Sequence, residues 1–421
     1  MTPAIDLAQR RARLGVRHLL AAPGTGPEAA AAAMVALHAT DPATVHLSVA
    51  ARIREPVVAD LERALYEQRS LVRLLGMRRT VFVVGTATAP VVQAACADDI
   101  ARRQRTLLVR HLAEQAEPPP AGDPASWLRE VEEGTYAALA ARGSATATQL
   151  AEDEPRLRQR LVMARGKPYE ATGNITSRVL FLLAADGRIV RGRPRGTWLS
   201  SQYHWSTTAD WLPGGPTGMT GMDEQQAGTA LARAWLRAYG PATVADLRWW
   251  TGWTAARTAR ALAPLSPVEV DLHGTPGIAL PADLEPVPEP EPWIALLPAL
   301  DPTPMGWKER GWFLDGHEAP LFDRSGNIGP TVWADGRVVG GWAQRPGGEV
   351  VARLLTDIGS ERAAAVDAAA HRLGTWLGEV RSRPVSAPRW SVNSTPDPAR
   401  PGGRNLPGHR RRPADTEVVA R

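Results

Sequence analysis

Sulfur chemistry is nearly missing from this 421-residue chain. Cys96 is the only cysteine, which excludes a disulfide framework and a zinc site built on cysteine thiolates. No uninterrupted apolar run is long enough to cross a bilayer, and the amino terminus lacks the apolar segment of a signal peptide. We therefore expect a cytoplasmic protein that has no membrane partner.

Signatures of cofactor chemistry are missing as well. The sequence contains neither a phosphate-binding loop nor a Gly-x-Ser-x-Gly segment. Gly24-Thr-Gly26 is followed by Pro27, which spoils a dinucleotide fingerprint. His46 stands eight residues after His38, but no cysteine or close acidic pair completes a metal site. We expect no cofactor and no metal.

Net charge says less than the formal +5 suggests. Residues 381–421 carry nine arginines and three acids, so the rest of the chain is close to neutral. This tail is rich in proline, arginine and glycine, which predicts disorder. It is either a salt-sensitive nucleic-acid contact or simply a solvated end. A DNA-binding surface on the folded part would have to be a local basic patch.

A short phrase recurs about every hundred residues. Its copies are Pro42-Ala43-Thr44, Ser144-Ala145-Thr146 and Pro241-Ala242-Thr243. Each copy follows one helix-like stretch and opens another, and glycine, proline and threonine suit such a junction. A helix, a short turn and a second helix form a helix-turn-helix, which points toward DNA. A three-residue match in alanine-rich sequence is weak alone, but the second and third copies match further.

Each copy is followed by two β-prone runs, which predict a hairpin. The paired runs are Ser70–Leu75 with Arg79–Val84, Arg188–Arg191 with Gly196–Tyr203, and Val268–Leu272 with Gly277–Leu280. Helices followed by a hairpin indicate a winged helix. We predict an α+β fold of tandem winged-helix domains followed by a small C-terminal β unit that is closed by a helix at 361–377. The predicted boundaries are 1–118 for the first domain, which ends in a long helical connection at about 86–116, 119–222 for the second, which ends in a loop from Trp205 to Met222, 223–284 for the third, 285–380 for the β unit and 381–421 for the tail.

Six segments carry a resemblance to a known bacterial family. They are Leu37-His-Ala-Thr-Asp-Pro42, Leu65-Tyr-Glu-Gln-Arg-Ser-Leu-Val72, Gly76-Met-Arg-Arg-Thr80, Tyr239-Gly-Pro-Ala-Thr243, Leu296-Leu-Pro-Ala-Leu-Asp-Pro302 and Asp335-Gly-Arg-Val-Val-Gly340. Over residues 4–378 the chain resembles the winged-helix DNA-binding-domain proteins that include the AlkZ-like DNA glycosylases. The resemblance implies tandem winged helices followed by a small C-terminal β-barrel-like unit, which together form a concave DNA-binding face. For the characterised branch, it also implies excision of N7-alkylated purines and unhooking of interstrand crosslinks.

The catalytic positions depart from the family pattern. The glycosylase branch has Gln-x-Gln or Gln-x-Asp just before the Asp-Pro break, where this chain has His38, Ala39 and Thr40. Neutral His38 could accept a proton from water. Thr40 could hold the same water, and Asp41 could supply the missing negative charge if it points into the cleft. We take His38, Thr40 and Asp41 as candidate catalytic residues.

A structural interpretation of the same residues stays open. His38 could interact with the end of a helix, Asp41 could cap the next one, and His38 could equally be a plain DNA contact.

Basic hairpins supply the candidate DNA-binding residues. Arg188, Arg191, Arg193 and Arg195 surround the second predicted wing, and Arg73, Arg78 and Arg79 flank the first. Such hairpins can follow phosphates, or can simply keep a protein soluble. Nearby Tyr203 and Trp205 could stack on bases, although core packing is the commoner fate of such rings.

Three functions remain open at this stage. The first is a monofunctional glycosylase that acts as a monomer on double-stranded DNA carrying alkylated or crosslinked purines, in repair or self-resistance. The second is a non-catalytic DNA-binding protein, either a transcription regulator or a lesion-shielding protein. The third is a small-molecule binder that uses a tryptophan-rich cleft. Loss of both carboxamide positions favours the second, and the retained Asp-Pro and Arg-Arg-Thr context favours the first.

Overall fold

Helices and short antiparallel hairpins alternate along this chain. The computed structural model describes residues 2–212 and 221–382. Most of the predicted basic tail, and part of the predicted loop between Trp205 and Met222, lie outside the described residues. The fold is mixed α/β, and we follow it in four segments.

The first segment contains six helices and three strands among its described residues. They are α1 Leu7–Arg17, α2 Pro27–Ala33, β1 Leu37–His38, α3 Pro42–Ala50, α4 Val58–Tyr66, β2 Leu71–Leu75, β3 Val81–Gly85, α5 Ala89–Val92 and α6 Asp98–Gln115. A π-helical stretch, Gln93–Ala97, joins α5 to α6. The long helical connection predicted for residues 86–116 is therefore confirmed.

The second segment contains a hairpin, formed by residues 160–163 and 171–174, that we did not predict from the sequence. Its elements are β4 Ala116–Glu117, α7 Pro124–Arg142, α8 Ala147–Asp153, β5 Arg160–Met163, β6 Ala171–Asn174, α9 Thr176–Ala185, β7 Ile189–Pro194, β8 Tyr203–Thr207 and α10 Thr208–Trp211. The strand predicted for Gly196–Tyr203 is wrong except at its last residue. Ser200 donates its backbone amide to Thr197 there, which is a turn rather than a ladder.

The third and fourth segments complete the described fold. The third contains α11 Glu224–Tyr239, α12 Val244–Thr251, α13 Ala255–Leu262, β9 Val268–Asp271 and β10 Pro276–Ala279. The fourth contains β11 Ile294–Leu297, α14 Gly311–Leu314, α15 Glu318–Leu321, β12 Thr331–Ala334, β13 Arg337–Gln344, β14 Val350–Leu354 and α16 Ser360–Leu377.

One topology recurs in the first three segments. A residue between two helices pairs with the last strand of the hairpin, in addition to the pairing within the hairpin. The pairs are His38 with Phe82, Ala145 with Trp205 and Ala242 with Ile278. The shared order is helix, bridge residue, two helices and hairpin, with α1 added before the first copy and with β5 and β6 inserted between the two later helices of the second.

The repeated phrase has two different roles. Thr146 and Thr243 cap α8 and α12, each with a reciprocal capping box. Thr44 instead lies inside α3, where its hydroxyl donates to Ala299 O at 2.8 Å, and the cap is Asp41. The first copy is therefore out of register with the other two, because Ala39 and Thr40 stand between the bridge at His38 and the cap.

The four-stranded sheet of the last segment is open. Its order is β11-β12-β13-β14, all antiparallel. Asp335 and Gly336 both have positive φ in the β12–β13 turn, as expected for a two-residue hairpin. Within the described residues the two outer strands do not pair, so the sheet is not a closed barrel and the barrel-like unit expected for 285–380 is not confirmed. Helix α16 packs on the sheet instead.

Tryptophan side chains connect the segments. Trp253 Nε1 donates to Ala95 O at 2.9 Å, and Trp376 Nε1 donates to Pro56 O at 2.8 Å. The largest apolar core contains residues of all four segments, whereas a second core belongs mainly to the second. A ring that packs and also donates one hydrogen bond suits such junctions, which explains much of the tryptophan content.

Candidate active site and its basic surroundings

The predicted catalytic residues lie at the end of a two-residue strand. His38 is in β1 beside Phe82 of β3, and Ala39 N donates to Val81 O at 2.8 Å. Thr40 follows and is exposed. Asp41 is buried, and its Oδ1 accepts the amide of Ala43 at 3.0 Å. The strand therefore presents Thr40 to solvent, while Asp41 begins α3 as its cap.

His38 has a neutral imidazole at physiological pH. Only 6% of its surface is exposed, and its Nδ1 is buried without a hydrogen-bond partner among the described residues. Burial, with the positive charge of Arg78 as the second cause, lowers the pKa of His38 to about 3. The ring meets Phe82 edge-on at 5.5 Å. A neutral ring can accept a hydrogen bond from water, but it is a weak base.

A buried ion pair supports the same region. Asp301 and Arg52 are completely inaccessible and form two parallel hydrogen bonds, at 2.7 and 2.9 Å. Ser48 Oγ donates to Asp301 at 2.7 Å, and Thr303 Oγ1 accepts from Arg52 at 2.7 Å. His18 Nδ1 also lies 2.9 Å from Thr303 Oγ1. Paired in this way, Asp301 holds α3 to the loop after β11.

The turn between β2 and β3 contains two arginines, and the positive charge of one of them, Arg78, acts on His38. Arg78 and Arg79 are consecutive residues in the left-handed conformation, with φ of 54° and 62°. Such backbone is rare outside glycine and costs of order 1–3 kcal/mol per residue. Arg79 is exposed, whereas Arg78 lies over the ring of Trp249 in α12, 3.9 Å from its centroid.

Arg73 lies in a buried aromatic setting. It is 3% exposed, and its Nη1 donates to Tyr66 OH at 2.5 Å. Its Nε and Nη2 have no hydrogen-bond partner in the described part of the chain. The guanidinium also faces Tyr203, 5.1 Å from the ring centroid. Desolvation raises the pKa of Tyr203, which therefore stays a neutral phenol.

The β7–β8 hairpin, the second predicted wing, packs against the first segment, and most of its arginines already have partners. Arg188 forms a two-bond ion pair with Glu133, and Arg193 lies 3.1 Å from Glu62. Arg191 lies 5.2 Å from the ring of Trp205. Arg195 is exposed. Tyr203 and Trp205 are 7% and 8% exposed, so their rings pack in the core in this structure.

Comparison with known proteins defines the family. The sequence model described as DNA glycosylase AlkZ-like matches residues 31–376. This chain belongs to the AlkZ-like DNA glycosylase family. The solved structure of Streptomyces sahachiroi DNA glycosylase AlkZ is similar in fold, with a TM-score of 0.66 at 21% identity. The alignment covers 88% of this chain and 97% of that one. No curated protein sequence matches the chain.

Membership of the AlkZ-like family supports a role on DNA in repair. The described residues contain no group of three or more histidine, cysteine, aspartate or glutamate side chains able to hold a metal ion. None of the described helices has the length and apolar character needed to cross a membrane.

A cleft of about 330 Å³ opens beside the second hairpin. It is lined by Tyr66, Ser144, Gly192, Arg193, His204 and Trp211. Trp211 is held over the backbone of Gly192, where a Cβ would come within 3.1 Å of the indole. Arg73 lies between this cleft and Tyr203, since it contacts both Tyr66, which lines the cleft, and the ring of Tyr203.

Sequence reasoning missed three residues that surround His38 and Arg78. Trp249 and Arg310 face Arg78 from distant parts of the chain, and no local pattern indicates that contact. Asp301 did carry a signal, since it is the acid of the segment Leu296–Pro302 that supported the family resemblance. An acid within an apolar run suggests a buried, paired carboxylate.

Proposed function

We propose that this protein is a monofunctional DNA glycosylase that releases cationic N7-alkylated purines, including purines held in crosslinks, from double-stranded DNA. The observation that carries the proposal is a neutral imidazole, His38, at the open end of β1 in a chain of the AlkZ-like family. A purine alkylated at N7 already carries positive charge, so its glycosidic bond breaks without an acid.

In the proposed step the glycosidic bond breaks and the purine leaves with the electron pair, as a neutral base. Water, hydrogen-bonded to His38, attacks C1′ of the oxocarbenium-like sugar, and the proton that the water loses is released to bulk solvent. With a pKa of about 3, His38 orients and polarises the water more than it deprotonates it. A strong electrophile at C1′ makes that sufficient.

Thr40 and Asp41 have different parts in this proposal. Exposed Thr40 holds the attacking water from the solvent side of β1. Asp41 contributes as the cap that fixes the end of the strand, through its bond from Ala43. A direct electrostatic effect of the Asp41 carboxylate on the sugar remains part of the proposal.

The three repeated units support a tandem winged-helix arrangement on duplex DNA. Each has the order of helices, bridge residue and hairpin that a winged helix requires. We propose domains at 1–118, 119–222 and 223–284, followed by the sheet unit at 285–380, and we propose that the protein acts as a monomer. Arg79, Arg193 and Arg195 are exposed arginines of the wings. Arg188 and Arg193 pair with glutamates and would have to exchange them for phosphate.

A non-catalytic DNA-binding role is the second candidate. It is favoured by Thr40, because that residue puts a neutral hydroxyl where the family pattern has an amide or a carboxylate. A lesion-shielding protein would bind alkylated duplex and leave the base in place.

Base release decides between the two. A duplex with N7-methylguanine is incubated with saturating wild type, His38→Ala, His38→Gln and His371→Ala, the last being an exposed histidine of α16. We expect release by the wild type and by His371→Ala, a loss of about 100-fold or more in His38→Ala, and partial rescue by the amide of His38→Gln. Equal release by His38→Ala would remove His38 from the mechanism. Tight binding without release would favour the shielding role.

A further inference from the structure

Two arginines from distant parts of the sequence meet at one indole ring. Arg78 lies 3.9 Å and Arg310 lies 4.8 Å from the centroid of Trp249. Arg310 also lies 5.1 Å from the ring of Phe322, and its Nε donates to Trp307 O at 2.9 Å. Both guanidinium groups are therefore fixed in place before any ligand arrives.

This pair has more positive than negative charge. Burial first, and the positive charge of Arg310 second, lower the pKa of Arg78 to about 10. Burial lowers the pKa of Arg310 to about 10 as well, against the attraction of Asp246. The carboxylate of Asp246 already accepts bonds from the amides of Thr243, Lys308 and Glu309.

The backbone is shaped to hold Arg78 there. Two successive left-handed residues, Arg78 and Arg79, form the turn, and strain of this kind is concentrated at functional sites. Gly252 ends α12 directly against Arg78, since a Cβ on Gly252 would come within 3.2 Å of Arg78 Cγ and 3.6 Å of Arg78 Cα. Any larger residue would push Arg78 away from Trp249.

The pair also lies beside the proposed active site. Arg78 is in the turn that leads into β3, and Phe82 of β3 pairs with His38. A ligand held by the two arginines would therefore adjoin the end of β1.

We propose that Arg78 and Arg310 together bind one backbone phosphate of the DNA, adjacent to the nucleotide presented to His38. The assignment rests on the proposed action on DNA. A phosphodiester has one negative charge and two free oxygens. Two fixed guanidinium groups can each donate to one of these oxygens, which a single cation cannot do as well. It also supplies the charge that the cluster lacks. Trp249 is the platform that keeps the two forks together.

The test uses duplexes in which one phosphate at a time is replaced by an uncharged methylphosphonate, within two nucleotides on either side of N7-methylguanine. The wild type should lose about tenfold in affinity at one position, as expected for a charge-assisted hydrogen bond. At that position Arg78→Gln and Arg310→Gln should lose no further affinity. We call a position silent when methylphosphonate there leaves the affinity of a variant unchanged. If no position is silent in both variants, the proposal of a shared phosphate site is wrong.

Salt dependence and a double variant give a second reading. Loss of one phosphate contact lowers the slope of log affinity against log salt by about 0.9, so affinity falls about 3.5-fold less between 50 and 200 mM salt. Arg372→Gln, an exposed arginine of α16, should behave as wild type. If the losses of the two single variants simply multiply in the double variant, the arginines serve different phosphates and the proposal is overturned.

Controls separate this site from folding and from catalysis. Arg310→Lys keeps the charge, so it should bind DNA more weakly than the wild type but with the same salt slope. If Arg310→Gln has a lowered thermal midpoint, Arg310→Lys replaces it in the binding measurements. Stabilisation of the wild type by inorganic phosphate at matched ionic strength, without any silent methylphosphonate position, would assign the site to free phosphate and refute the proposal. Absence of base release would refute the glycosylase and leave the phosphate assignment to the binding data.

Discussion

Removing the carboxylate of Asp301 should destabilise the protein more than removing any exposed acid. Asp301 and Arg52 are both completely buried, and Arg52 would remain as an uncompensated charge in Asp301→Ala. Breaking a buried pair at one partner costs about 3–5 kcal/mol. That is a large part of the roughly 5–15 kcal/mol that stabilises a typical fold. The Ser48 hydroxyl and the Thr303 backbone amide would also lose the carboxylate oxygens that accept their hydrogen bonds.

Urea unfolding followed by circular dichroism measures this loss. The matched control is Glu349→Ala, because Arg345–Glu349 is an exposed ion pair, and such pairs are worth about 0.2–1 kcal/mol. Replacing both partners, with Arg52→Met and Asp301→Leu together, should cost less than Asp301→Ala alone, since no buried charge is left. A free-energy loss below about 1 kcal/mol in Asp301→Ala would refute the reasoning.

Two further predictions concern buried titratable groups. Burial lowers the pKa of His38 and of His46 to about 3, so between about pH 3 and 6.5 the unfolded chain binds more protons than the folded one. Stability should therefore fall as pH drops below 6.5, by up to about 1.4 kcal/mol per pH unit for each such histidine. Urea midpoints at pH 7, 6 and 5 check this; a His46→Gln variant with the wild-type pH dependence would contradict it, and exposed His371→Gln is the control. Burial also raises the pKa of the Cys96 thiol to about 12, so a disulfide reagent should label no native Cys96 at pH 8 and one thiol in denaturant. Rapid labelling of the native protein would show that Cys96 is not buried.

The repeated organisation could be predicted from sequence because it depends on local signals. Glycine and threonine at helix junctions, β-prone pairs of strands and the Asp335-Gly336 turn all act over a few residues. The open sheet could not be predicted, since closure depends on which edge strands meet. The turn at Thr197–Ser200 was missed because its composition is as β-prone as a strand.

The site itself was only half readable. The family pattern locates His38 and Thr40 in the sequence. The neutrality of His38, in contrast, comes from burial in the folded protein and from the nearby charge of Arg78. The partners of Arg188 and Arg193 are glutamates on helices α7 and α4, and a local count of positive charge cannot show that they are paired. Arg310 and Trp249 approach Arg78 only after the chain has folded.

The two residues between the bridge and the cap in the first unit have a wider consequence. Ala145 and Ala242 are followed at once by their capping threonines, so the second and third units have no free chain at this place. In the first unit Ala39 and Thr40 fill the interval, and the side chain there faces solvent. The repeated architecture is thus two residues longer in one of its three copies, and of those two residues only Thr40 is exposed. Residue 40 can therefore be substituted with little effect on the buried packing, while the substitution changes the surface beside the proposed catalytic His38.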